Sequence, residues 1–144
     1  LMNKIFPTII VLAILGIITN ANSSNASGFS FEWGEIPLCT TGRPTVVGNP
    51  VFTLSDGPGG ANWVYFKLKD RNAPGYNHGG GWAELNGKTS VDFGVFKYKS
   101  PCPPSGKHTY EWTAYFTPEK TKLNFSGKPK GVISKVTASK KYPE

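Results

Sequence analysis

Asp70, His108 and Tyr110 are the residues of this chain whose chemistry and setting most invite attention. Asp70 closes an alternating apolar segment, and His108 and Tyr110 open another, directly after the Pro/Gly-rich string Pro101-Cys102-Pro103-Pro104-Ser105-Gly106. A carboxylate beside an imidazole can fix its tautomer and favour its protonated form, a phenol adds an O–H donor, and loops of this composition can present backbone N–H groups to an anion. The alternative for each is structural, Asp70 as a turn cap and His108 as a satisfied histidine at a strand start. Other strings fall short of their chemistry. His78-Gly79-Gly80-Gly81 matches the oxyanion segment of esterases, but the chain has no G-x-S-x-G nucleophile elbow, and a glycine run also serves close backbone approach. Gly87-Lys88-Thr89 ends like a phosphate-binding loop, yet Trp82 stands where its first glycine is required. Two cysteines and two histidines without metal-site spacing imply neither a metal nor a cofactor. Asn124-Phe125-Ser126 is an N-glycosylation sequon.

The elements that must position these residues follow from hydrophobic period. Val64, Phe66 and Leu68 alternate with Trp63, Tyr65, Lys67 and Lys69, and Tyr110, Trp112, Ala114 and Phe116 alternate with Thr109, Glu111, Thr113 and Tyr115. Both segments read as strands. Shorter strands are expected at Phe29–Trp33, Val51–Ser55, Trp82–Leu85, Phe93–Tyr98 and Gly131–Ser139, each bounded by Gly, Pro or Asn. About seven strands and no amphipathic helix predict an all-β, antiparallel sandwich, with Thr117–Lys130 as one long polar loop.

Near the start of the 144 residues, after Leu1, Met2, Asn3 and Lys4 precede an apolar run from Ile5 to Ile18, which a small, polar stretch follows. That pattern reads as a signal peptide over 1–26, cleaved after Ala26, with an earlier site at Ala21 and an uncleaved anchor as the alternative. A single domain over 27–144 is then secreted or periplasmic, and a Cys39–Cys102 disulfide becomes the natural state of the two cysteines, as against two free buried thiols. Residues 97–144 carry ten lysines against Glu111, Glu119 and Glu144. In an exported protein this basic third suits an anionic membrane surface or polysaccharide and not nucleic acid, or else merely solubilises exposed strands. Trp33, Trp63, Trp82 and Trp112 could supply a sugar-stacking platform for an envelope or carbohydrate-binding module, although tryptophans in a small sandwich are mostly core.

The string from Pro101 to Tyr110, taken with Asp70-Arg71-Asn72-Ala73-Pro74, resembles the phosphatidylethanolamine-binding protein family, also called Raf kinase inhibitor-like, which pairs a D-P-D-x-P segment with a later P-P-x-G-x-H-x-Y segment. Asn49-Pro50, Phe52, Leu54 and Pro58-Gly59-Gly60 extend the likeness upstream, so that it covers some ninety residues, from about Asn49 to Ser139. The D-P-D is here Asp70-Arg71-Asn72, and the family's second histidine has only His78 as its counterpart. The resemblance implies a Greek-key β-sandwich with little helix, of the compact secreted bacterial kind. It implies a non-enzymatic protein whose small pocket takes a phospholipid head group or other small anion, lined by Asp70, Pro74, His78, Pro103, Pro104, His108 and Tyr110. A hydrolase is the remaining reading, with only His108, His78 and Asp70 available to it.

Overall fold

The computed structural model describes residues 28–144; the expected leader and its cleavage position lie outside them. Among the described residues there is no helix, and nine strands pair antiparallel throughout. They are β1 (Phe29–Phe31), β2 (Val46–Gly48), β3 (Phe52–Leu54), β4 (Trp63–Asp70), β5 (Gly80–Glu84), β6 (Ser90–Val91), β7 (Lys97–Lys99), β8 (His108–Thr117) and β9 (Ser134–Tyr142). The largest sheet has the order β5-β4-β8-β9, a second β1-β3-β6, and β2 pairs with β7 alone.

The alternation in β4 and β8 is the reason these two strands form the centre. Val64, Phe66 and Leu68 of β4, and Tyr110, Trp112, Ala114 and Phe116 of β8, are all buried on one face, each large apolar side chain contributing about 1.5–3 kcal/mol by leaving water. Onto that face packs the β1-β3-β6 sheet. Phe52 of β3 stacks on Phe66 with ring centroids 3.9 Å apart and meets Trp112 edge-on at 5.2 Å. Trp33 and Trp112 are core residues, whereas Trp63 and Trp82 meet edge to face on the outer side of the large sheet, so the four do not form one platform.

The shorter strands depart from expectation where long-range contacts decide. Of the Phe93–Tyr98 segment only Lys97 and Tyr98 pair, in a strand that continues to Lys99, because the chain before it turns around Asn49. The buried Asn49 side chain donates to the carbonyls of Pro50 and Asp92 and accepts from Phe96 N. The expected Trp82–Leu85 strand instead begins at Gly80, since two glycines let β5 lie against its neighbours. A Cβ on Gly80 would stand 1.9 Å from the Phe66 carbonyl oxygen, and one on Gly81 2.4 Å from Phe96. The last strand runs Ser134–Tyr142 and not Gly131–Ser139, carrying the sheet edge as far as His108, which pairs with Tyr142. β2 and β6, of three and two residues, were not expected.

Candidate ligand-binding site

β4 ends at Asp70 opposite Tyr110, and β8 begins two residues earlier at His108. The register therefore sets Asp70 and Tyr110 side by side at one end of the inner face. His108 shares that face, two residues from Tyr110 along the strand. Asp70 Oδ2 lies 2.7 Å from His108 Nδ1, while its Oδ1 accepts the backbone N–H groups of Asn72 (2.8 Å) and Ala73 (3.1 Å). Asp70 thus does both things expected of it, capping a turn and holding the imidazole. Burial raises the cost of its charge, but the bond from His108 and those two N–H donors outweigh it and hold the carboxyl below the ordinary carboxylate range. The His108 side chain keeps 16% of its surface exposed against 5% for Asp70, so the ring, and not the carboxylate, meets solvent. With Nδ1–H given to Asp70, Nε2 is the ring's remaining polar atom: a lone pair when the ring is neutral, an N–H donor when it is protonated.

The turn after Asp70 is clamped to β8 twice. Arg71 N donates to Thr109 O, and Thr109 N donates to Asn72 Oδ1, both at 2.8 Å. Asn72 stands in the position of the second carboxylate of D-P-D, and as an amide it serves here as a neutral acceptor.

His78 reaches the same cluster from the β4–β5 connection. It is buried, its Nδ1 donates to the Lys99 carbonyl at 2.9 Å, and its ring meets Tyr110 edge-on at 5.4 Å and Tyr76 at 4.7 Å. Burial pushes its pKa down in spite of that carbonyl and the Asp70 charge, so the ring is held neutral. Tyr110 is buried between the two histidines, its ring 6.2 Å from that of His108. Burial first, and the Asp70 charge second, raise its pKa and keep the hydroxyl protonated. Trp33 and Tyr142 brace Tyr110 from behind, at 5.8 and 6.4 Å, a support with no local signal in the sequence.

The Pro/Gly-rich string lies after β7, with Pro101, Cys102 and Pro103 buried and Pro104 exposed against Gly42. A disulfide joins Cys39 and Cys102 across 63 positions and ties this string to the chain after β1. Tyr142 Oη accepts from Cys39 N and donates to the Pro37 carbonyl, which anchors the same segment to the end of β9. Of the residues expected to line a pocket, Asp70, His78, His108 and Tyr110 come together, with Pro103 and Pro104 on the disulfide-tethered string. Pro74 stands apart. It is exposed on the wall of a cavity of about 750 Å³ over the outer face of the large sheet.

No protein-family model and no curated protein matches the chain. Among solved structures, its fold is similar to a crystal structure from Chlamydia trachomatis D/UW-3/CX assigned as a phosphatidylethanolamine-binding protein homolog. The TM-score is 0.56 at 19% identity, over 84% of this chain and 99% of the other. The fold of the described residues is thus all-β with little helix, and it is similar to that of this protein homolog.

Proposed function

We propose that this chain is a non-enzymatic binding protein of the phosphatidylethanolamine-binding type, which takes a small phosphate-like anion or phospholipid head group at His108. The Asp70–His108 pair carries the reading: a buried carboxylate orients a ring whose other nitrogen is left for a ligand, at the end of a sheet beside a tethered Pro/Gly-rich loop. The fold likeness supports a binding role. A protonated His108 gives the anion a charge-assisted N–H bond, and Asp70 offsets the added charge. Neutral, buried His78 contributes shape and not charge. We further infer export, since the disulfide suits an oxidising compartment. The mature chain then starts at Ser27, and intact mass of the secreted species checks this; retention of Met2 rejects it.

Titration calorimetry with inorganic phosphate, glycerophosphoethanolamine and short-chain phospholipids tests the site. His108→Ala weakens binding by roughly 1.5–3 kcal/mol, the scale of a hydrogen bond to a charged group. Equal affinity in wild type and variant removes the site. Esterase, phosphatase and phosphodiesterase substrates are expected to give no turnover; a rate abolished by His108→Ala overturns the binding role.

A further inference from the structure

The cavity of about 750 Å³ over the outer face of the large sheet has a composition of its own. Its floor is the outward side of β4, β8 and β9, which presents Lys67, Lys69 and Lys135, and the polar loop between β8 and β9 closes over it with Lys128. Among the described residues no carboxylate lines it. On that sheet face Glu111 pairs with Lys69 in the register and is bonded to Arg71 at 2.9 Å. Between the ammonium groups stand aromatic rings. Phe125 packs on Tyr65 and Tyr115 and carries the Lys67 ammonium 4.2 Å above its centre, and Tyr76, 40% exposed, forms part of the opposite wall. Lys67 is therefore held in place before any ligand arrives, which lowers the entropy cost of using it.

We propose that this cleft is a second binding site, independent of His108, for an acidic oligosaccharide: sugar rings bearing carboxylate or sulfate groups. The volume lies within the range of roughly 300–1,000 Å³ usual for small-ligand sites. Four lysines in a lining without a carboxylate match a chain that carries several anionic groups. A flat bilayer reaches only the rim of a cleft, whereas an extended polyanion can lie along the lysines of its floor. Single-stranded nucleic acid is the competing polyanion, and it forms one arm of the test.

The test is calorimetry of the protein with polygalacturonate and heparin-derived hexasaccharides, a neutral hexasaccharide, single-stranded DNA, and vesicles containing phosphatidylglycerol. The acidic hexasaccharides bind in a salt-dependent manner and the neutral one does not. The pair Lys69→Gln with Lys128→Gln lowers affinity roughly tenfold, two exposed ion pairs being lost. The charge-matched pair Lys88→Gln with Lys97→Gln, exposed away from the cleft, leaves it unchanged. Amide shifts of Thr113 and Tyr115 in the unaltered protein give a readout free of any folding effect. Equal loss in both pairs, shifts elsewhere, no binding, or tighter binding to DNA or vesicles each overturn the proposal. Inorganic phosphate binding lost with His108→Ala but kept in the Lys69/Lys128 pair separates this site from the first.

Discussion

Replacing Asp70 with asparagine changes one atom of the His108 pair and reverses its polarity. Oδ1 and its two backbone donors, Asn72 N and Ala73 N, can stay as they are. The atom 2.7 Å from His108 Nδ1 becomes an N–H donor, so Nδ1 must turn acceptor and the neutral ring must move its proton to Nε2. A bond to a charged acceptor, about 1.5–3 kcal/mol, gives way to a neutral one of about 0.5–1.5 kcal/mol, a net loss of roughly 1–2 kcal/mol. For a domain of this size that lowers Tm by about 4–8 °C near neutral pH. The pH dependence has a definite sign. The Asp70 pKa is lowered in the folded protein, so its contribution is complete above the unfolded carboxylate range, near 3.9, and is lost as pH falls through the lower folded value. Thermal unfolding from about pH 7 to about pH 2 should show wild type and Asp70→Asn separated at neutral pH and converging in acid. Imidazole nitrogen shifts of neutral His108 should report Nδ1–H in wild type and Nε2–H in the variant. Parallel curves throughout, or one tautomer in both proteins, would refute the pairing.

Serine at both Cys39 and Cys102 opens a loop of 63 positions, worth about 4 kcal/mol in the chain-entropy account; denaturant unfolding measures it, and an unchanged midpoint counts against the bridge. Gly80→Ala forces a methyl into the Phe66 carbonyl and should cost at least about 3 kcal/mol, while Gly57→Ala, with open space around its Cβ, should stay within about 0.5 kcal/mol; equal effects would contradict the close approach of β5 to β4. Tyr98 Oη is buried with no hydrogen-bond partner among the described residues, so Tyr98→Phe should be neutral or stabilising by up to about 1 kcal/mol, and a loss greater than that would show that the hydroxyl is bonded.

The strongest strands were legible because their evidence is local. In β4 and β8 the alternation runs over eight and ten residues, long enough for one face to be recognised as apolar without knowing what it packs against. β2 and β6 gave no such signal, for two or three residues hold no period and exist only through their partners Lys97–Lys99 and Phe52–Thr53. The Asn49-Pro50 string belongs to the family likeness; its place in the fold, a buried amide around which the chain turns, depends on the Asp92 carbonyl and the Phe96 N–H, both more than forty positions away.

What the sequence determined by itself about the candidate site was its chemistry. Asp70 and His108 stand at the ends of two patterned strands, and proline and glycine confine the loop before His108. Only the tertiary structure decided the pairing, because antiparallel register is non-local: Asp70 meets Tyr110 only once β4 and β8 align along eight residue pairs. The same register turns Lys67 and Lys69 outward, into a cleft whose other wall comes from a loop some sixty positions on. Side-chain type travels with the chain, whereas the face on which it emerges is set by pairing, and one residue of slip would have exchanged the two sites.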